Sequence, residues 1–313
     1  MSGTTKRRLI TTTIALGFIA LAVRYIIANF QWTQIGESLA QMNWLWLLLG
    51  GGASIMVYWW IRAARLHAIL HRLGATPTLR ELYKLNSIYL SLAIVTPFQS
   101  GEVLKIEALK RMGIVDRAAG YTAFIIERAM DLLVVLCLAI VCVLIRADEA
   151  LPQWLALSLA GAMVLCVPLA AWLIHRWPTT GRLGPIIAPL KLATRPMIFT
   201  QCILLTAAGW ATVALGWMAS LQGLDIQLDA IQGLTLVSVM TLVNILSFVP
   251  GAIGVSEAGV AEFLVRYGNT PSLAQAGALA TRFLSILIIG LGLLQALVSI
   301  RRKSIRNGDL MAP

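Results

Sequence analysis

The sequence predicts an all-α polytopic membrane protein of about six full transmembrane helices plus two re-entrant broken-helix hairpins that form an inverted-topology repeat. Three observations predict it. Apolar stretches of near 20 residues recur along a 313-residue chain that is 58% hydrophobic and only 12% charged, which excludes an ordinary soluble core. Basic residues gather in blocks that alternate with stretches free of Lys and Arg. Two segments rich in Pro, Gly, Ser and Glu interrupt apolar runs where a membrane span would otherwise continue. An outer-membrane barrel would show short alternating segments instead.

The first span is expected over roughly 9 to 29, running outward behind "TKRR". Apolar sequence resumes after Arg24 with "YIIANF", so a retained signal anchor is expected over a cleaved signal peptide. Arg24 itself has two readings, a side chain that snorkels to the interface or one that meets a lipid headgroup. An external loop follows near 30 to 43, edged by Trp32 and Trp44 at interface depth. The second span, roughly 44 to 63, returns inward and ends at Arg62 and Arg65, with "GATPT" as the turn beyond.

The next apolar segment is too short to cross. "LNSIYLSLAIVTPF" holds 14 residues, which reach about 21 Å as helix against a hydrocarbon core of about 30 Å. Both flanks are basic, so the segment should enter from the cytoplasm, turn at Pro97 to Gly101 and return through the amphipathic "VLKIEALKRMGIVDR". A span over roughly 118 to 146 then runs outward and carries "ERAMD"; another over 153 to 175 returns; a third over 197 to 219 goes outward again. "GLTLVSVMTLVNILSF" descends from an external loop, breaks at "VPGAIG" and climbs back as "VSEAGVAEFLVRYG". The last span, roughly 272 to 299, ends in "RRK".

The two broken segments resemble each other. Arg128 lies 31 residues after Pro97 and Arg282 lies 32 residues after Pro250, and each break is followed by a glutamate, Glu102 or Glu257. Entry from opposite sides makes this an inverted-topology repeat. The chain thus reads as one integral membrane domain, 1–313: N-terminal helices over 1–82, a first hairpin-plus-helix repeat over 83–146, linking helices over 147–229, a second inverted repeat over 230–300, and a basic cytoplasmic tail over 301–313.

The net charge of +11 would suggest nucleic acid in a soluble protein. Its distribution here follows the positive-inside rule instead, which puts both termini in the cytoplasm and leaves anionic lipid as the partner that the charge implies, with no nucleic acid. Cys137, Cys142, Cys166 and Cys202 lie in apolar runs without metal-ligand spacing, and His67 and His71 lack a surrounding HExxH pattern. No metal and no cofactor are expected.

Chemistry should concentrate at the breaks. Irregular backbone at membrane depth survives only inside protein or along a wet cavity. Pro97, Gly101, Pro250, Gly251 and Gly254 supply the missing donors and sharp turns. The helices that restart near Ser100 and Ser256 would aim free N–H groups and positive dipole ends inward, suited to a phosphate or carboxylate. The same serines also fit plain N-caps, with Glu102 and Glu257 supporting the first turn. Glu127, Arg128 and Asp131 share one span, and Arg282 lies a third of the way into the last. Such charges fit either a structural ion pair or a polar cavity in which Arg128 and Arg282 attract an anionic headgroup while the carboxylates balance charge.

At "TPFQSGEVLKIEALKRMGI", "ERAMDLL" and "VPGAIGVSEAG" the sequence resembles the transmembrane region of lysylphosphatidylglycerol synthases, a flippase-like membrane family. The family shows P-x-x-x-GE, E-R-x-x-D-like and P-G-G-I-G-x-x-E elements in this order; here Ala252 stands where the second glycine often does. The resemblance implies that Pro97, Gly101, Glu102, Glu127, Arg128, Asp131, Pro250, Gly251, Gly254 and Glu257 carry functional weight. It implies a bacterial cytoplasmic (inner) membrane location. The soluble aminoacyl transferase of two-part relatives is absent from these 313 residues, so the expected activity is movement of a lipid made elsewhere.

The function expected is therefore a flippase or scramblase for a phospholipid or lipid-linked headgroup, anionic or zwitterionic, and not an enzyme. Two alternatives stand beside it. One is a noncatalytic membrane partner of a separately encoded lipid-modifying or glycosyltransferase complex. The other is an integral-membrane lipid transferase, for which no DxxD-type carboxylate pair lies on a cytoplasmic helix edge. A homodimer is a further expectation.

Overall fold

A computed structural model describes residues 26–96, 101–145, 172–181, 196–246 and 250–308, with isolated positions between 17 and 24 and between 157 and 191. Among the described residues every regular element is a helix. They are α1 (Trp32–Ala40), a π-helical turn (Trp46–Gly51) that runs into α2 (Gly52–Arg72), α3 (Leu79–Val95), α4 (Gly101–Arg111), α5 (Arg117–Ile145), α6 (Pro196–Gln222), α7 (Ala230–Leu246), a 3₁₀ turn (Pro250–Ala252), α8 (Val255–Arg266) and α9 (Pro271–Gly308). Among the described residues four helical stretches are long and apolar enough to cross a membrane: Trp46–Arg72, Arg117–Ile145, Met197–Gln222 and Pro271–Arg301. The spans expected over 9 to 29 and 153 to 175 lie largely outside the described residues.

Three expectations are corrected. The external loop near 30 to 43 contains a helix, α1, which packs on α9 and buries Ile35. Trp32, Ile35 and Leu39 recur there at helical spacing, a signal that the reading as a loop passed over. The second span does not end near residue 63 but continues to Arg72, so Arg62 and Arg65 lie inside the helix and not at its edge. The short apolar segment begins earlier, at Leu79. Thr78 sits before it in extended backbone, its hydroxyl accepts from the Glu81 N–H, and Glu81 Oε2 accepts from the Thr78 N–H at 2.9 Å. That reciprocal cap fixes the start of a 17-residue helix.

Two apolar clusters mark opposite ends of the bundle. One gathers Phe30, Ile35 and Met42 with Leu224, Ile226, Phe263 and Ala274. There Asn43 N–H donates to the Gly223 carbonyl at 2.8 Å, and Gln31 N–H to Gln275 Oε1 at 2.9 Å. The other gathers Leu70, Ala75, Leu82, Leu109 and Ile198. The outer ends of α3 and α4 therefore lie at the end where Arg72, Arg80, Arg111 and Arg117 collect, while those of α7 and α8 lie at the other.

Both broken segments share one plan. A 17-residue helix leads to a break, a helix of 11 or 12 residues leaves it, and a long helix follows, α5 after the first and α9 after the second. α3 packs on α9 and α5 on α7, so each broken pair leans on the other's long helix.

Candidate functional site

The first break brings its two legs so close that a Cβ at Gly101 would stand 2.5 Å from the Ala93 nitrogen. Only glycine fits there. Gly101 N–H donates to Thr96 Oγ1 at 2.9 Å, which satisfies one of the donors freed by the restart of α4. The next residue, Glu102, is buried. Its carboxylate accepts two bonds from the Arg62 guanidinium, at 2.9 and 3.2 Å, and forms an ion pair with Arg128.

Arg62 and Arg65 are three apart on α2 and so present their guanidinium groups to one side. Arg65 donates to Asp131 at 2.6 and 3.3 Å, to Glu127 at 3.3 Å and to Thr206 Oγ1 at 2.8 Å. Lys105, one turn beyond Glu102 on α4, reaches Glu127 at 2.8 Å and Asn86 Oδ1 at 3.2 Å. Charges at this depth cost at least ~2.5–3.5 kcal/mol each on insertion scales unless they are paired. Here they are knitted into one continuous network across α2, α4, α5 and α6.

The second break is built differently. Gly251 and Gly254 have φ of 61° and 88°, backbone that glycine adopts freely, and Ala252 between them has φ of 49°. Gly254 N–H, the donor just before α8, is taken by Glu257 Oε2 at 2.6 Å. Arg282 on α9 donates from Nε to Glu257 Oε1 at 2.5 Å and from Nη1 to the Gly251 carbonyl at 2.9 Å. Glutamate and arginine thus take up a donor and an acceptor that the break releases.

These groups converge on a cavity of about 500 Å³. It is lined by Ile94 and Thr96 beside the first break, by Gly251, Ser256 and Glu257 around the second, and by Arg128 and Arg282 from the two long helices. A second cavity of about 270 Å³ shares Arg128 and Asn244 with it and extends to Arg62, Glu102 and Asp131. Arg128 faces both, with a third of its side chain exposed. The two breaks touch: a Cβ on Gly251 would lie 3.3 Å from the Ile94 carbonyl oxygen.

Arg128, Arg282, Glu102, Asp131, Glu257 and Ser256 therefore line cavity wall, and Glu127 stands behind it, fully buried. Ser256 is not an N-cap, since Gly254 occupies that position and Ser256 lies within the first turn of α8. Arg24 is exposed and is not among the described residues that line either cavity. Pro97 and Ser100 lie outside the described residues, and of Pro250 the backbone turn is described.

Arg62, Arg65 and Lys105 escaped the sequence reading. The positive-inside rule absorbed them into cytoplasmic clusters, although "WWIRAARLHAIL" carries two arginines within one helical turn of an apolar run. That spacing was the available signal.

Four apolar spans among the described residues, around a cavity lined by charged side chains, define a multi-pass α-helical membrane protein. More closely, the chain belongs to the family described as lysylphosphatidylglycerol synthase TM region, whose model matches residues 12–292. No curated protein and no solved structure matches it.

Proposed function

We propose that this chain is a lipid flippase or scramblase, which moves a phospholipid or lipid-linked polar headgroup across a bacterial cytoplasmic membrane while the tails stay in hydrocarbon. The observation that carries the reading is that both breaks, and an arginine from each following helix, face a single cavity. Irregular backbone beside buried charge is the environment in which a polar guest replaces water. The two hairpins belong to an inverted-topology repeat, with both termini cytoplasmic. Their equal plan, their approach from opposite ends of the bundle and the matched pairs Glu102–Arg128 and Glu257–Arg282 support that topology. Rocking one repeat against the other would open the cavity to each leaflet in turn.

The test is transport by the purified chain alone in proteoliposomes containing fluorescent phospholipid. Wild-type protein should accelerate exchange between leaflets, and Arg128→Ala should lose at least about tenfold of that rate, the loss of one charge-assisted contact, at unchanged folded yield. A second reading, a noncatalytic partner of a lipid-modifying complex, draws on the clasp that Arg282 forms around the second break, which a purely architectural role would also need. Lipid movement by bare proteoliposomes at wild-type level, abolished by Arg128→Ala, excludes it; no movement at all favours it.

A further inference from the structure

The charges around the cavity do not cancel. Among the described residues the first network sets Arg62, Arg65, Lys105 and Arg128 against Glu102, Glu127 and Asp131. The second sets Arg282 against Glu257. The larger cavity is lined by Arg128 and Arg282 against Glu257, and the other members of the first network balance three against three, so one positive charge is in excess. Excess charge away from water is tolerated where a counter-charge arrives.

The location of the excess follows from the bonding. Arg62 holds Glu102 through two hydrogen bonds and Arg65 holds Asp131 through two, and both guanidinium groups are buried. Lys105 is buried against Glu127. Arg128 is the member that reaches open space, and its partner Glu102 stays satisfied by Arg62 if Arg128 turns away. Arg282 adds unused capacity on the opposite wall: its Nη2 is buried and finds no hydrogen-bond partner among the described residues. Leu132 and Ile245, each about half exposed, line both cavities and give an apolar exit for acyl chains.

We propose that the cavity takes a lipid headgroup with a single net negative charge, a phosphodiester, seated between Arg128 and Arg282. This deepens the transport reading and rests on it for the route of the tails, but the charge preference is a property of binding. A zwitterionic headgroup leaves the excess uncancelled, and a headgroup of net positive charge adds to it.

Binding is read by native mass spectrometry and by thermal shift in neutral detergent, with phosphatidylglycerol and phosphatidylcholine of the same acyl chains. Phosphatidylglycerol should bind about tenfold tighter or more, the usual reach of one charge-assisted contact. Arg128→Gln should erase the difference, and Arg128→Lys should keep most of it. Since Glu102 retains Arg62, Arg128→Gln should fold, and its unliganded melting temperature checks this. Equal binding of the two lipids by wild type, or an unchanged preference in Arg128→Gln, overturns the proposal. Soluble glycerophosphoglycerol should protect weakly; protection equal to that by the lipid also overturns it, in favour of a free phosphodiester. Selective binding without transport in proteoliposomes would leave this proposal standing and remove the flippase reading alone.

Discussion

Arg65 shows how much a single buried side chain organises. It joins α2 to α5 through Asp131 and Glu127, and to α6 through Thr206. Arg65→Ala leaves Asp131 buried with no equivalent donor, and should cost roughly 3–5 kcal/mol in reversible denaturation in detergent. Arg65→Met with Asp131→Leu should cost less than Arg65→Ala, because both charges leave together. An equal or larger loss in the double variant would assign the stability to packing instead. Ala252 sets a different residue-scale test. At φ of 49° an alanine is tolerated, but a β-branched side chain is not. Ala252→Gly should hold the melting temperature within a few degrees, whereas Ala252→Val should lower it sharply and disturb the cavity edge. The departure from a second glycine at this position was legible in the sequence. That alanine would be held in left-handed backbone was not, because one letter does not carry a dihedral angle.

Among the elements, α3 depends on its cap. The bonds from Thr78 hold the Glu81 carboxyl below its ordinary value of 4.5, with the backbone N–H the larger cause and the hydroxyl the second. A group whose folded value is depressed stabilises the fold above its unfolded value, and that contribution fades as pH falls through the folded one. Thr78→Ala should therefore cost about 1 kcal/mol near neutral pH, and the gap between variant and wild type should narrow below about pH 4. A gap that stays constant with pH would separate the cap from the carboxylate. The existence of both hairpins was legible because Pro and Gly inside apolar runs have few other uses in a membrane. Their boundaries were less so: α3 begins six residues before the apolar run at Leu85, since its first turn is fixed by hydrogen bonds and not by hydrophobicity. α1 was missed although Trp32, Ile35 and Leu39 recur at helical spacing, because a nine-residue stretch between two expected spans reads as their loop.

On the scale of the whole molecule, the inverted topology proposed above predicts sidedness. In a background without reactive native cysteines, Thr76→Cys and Thr270→Cys should be labelled by a membrane-impermeant reagent from opposite faces of oriented vesicles. Labelling of both from one face would end the inverted topology. The class of molecule was plain from hydropathy, and Arg128, Arg282 and Glu257 were singled out because charge is scarce in apolar runs. Arg62, Arg65 and Lys105 were hidden because a rule about loops was applied to residues inside helices. The matched clasps Glu102–Arg128 and Glu257–Arg282 each lie within one broken segment and the long helix that follows it. Where α3 meets α9, the Ser91 hydroxyl donates to the Ile288 carbonyl at 2.8 Å, beside Leu90, Leu284 and Leu287. A seam of that composition offers dissolved ions little to screen, so in the proposed transport cycle the rate in proteoliposomes should follow the fluidity of the bilayer more closely than the ionic strength of the buffer.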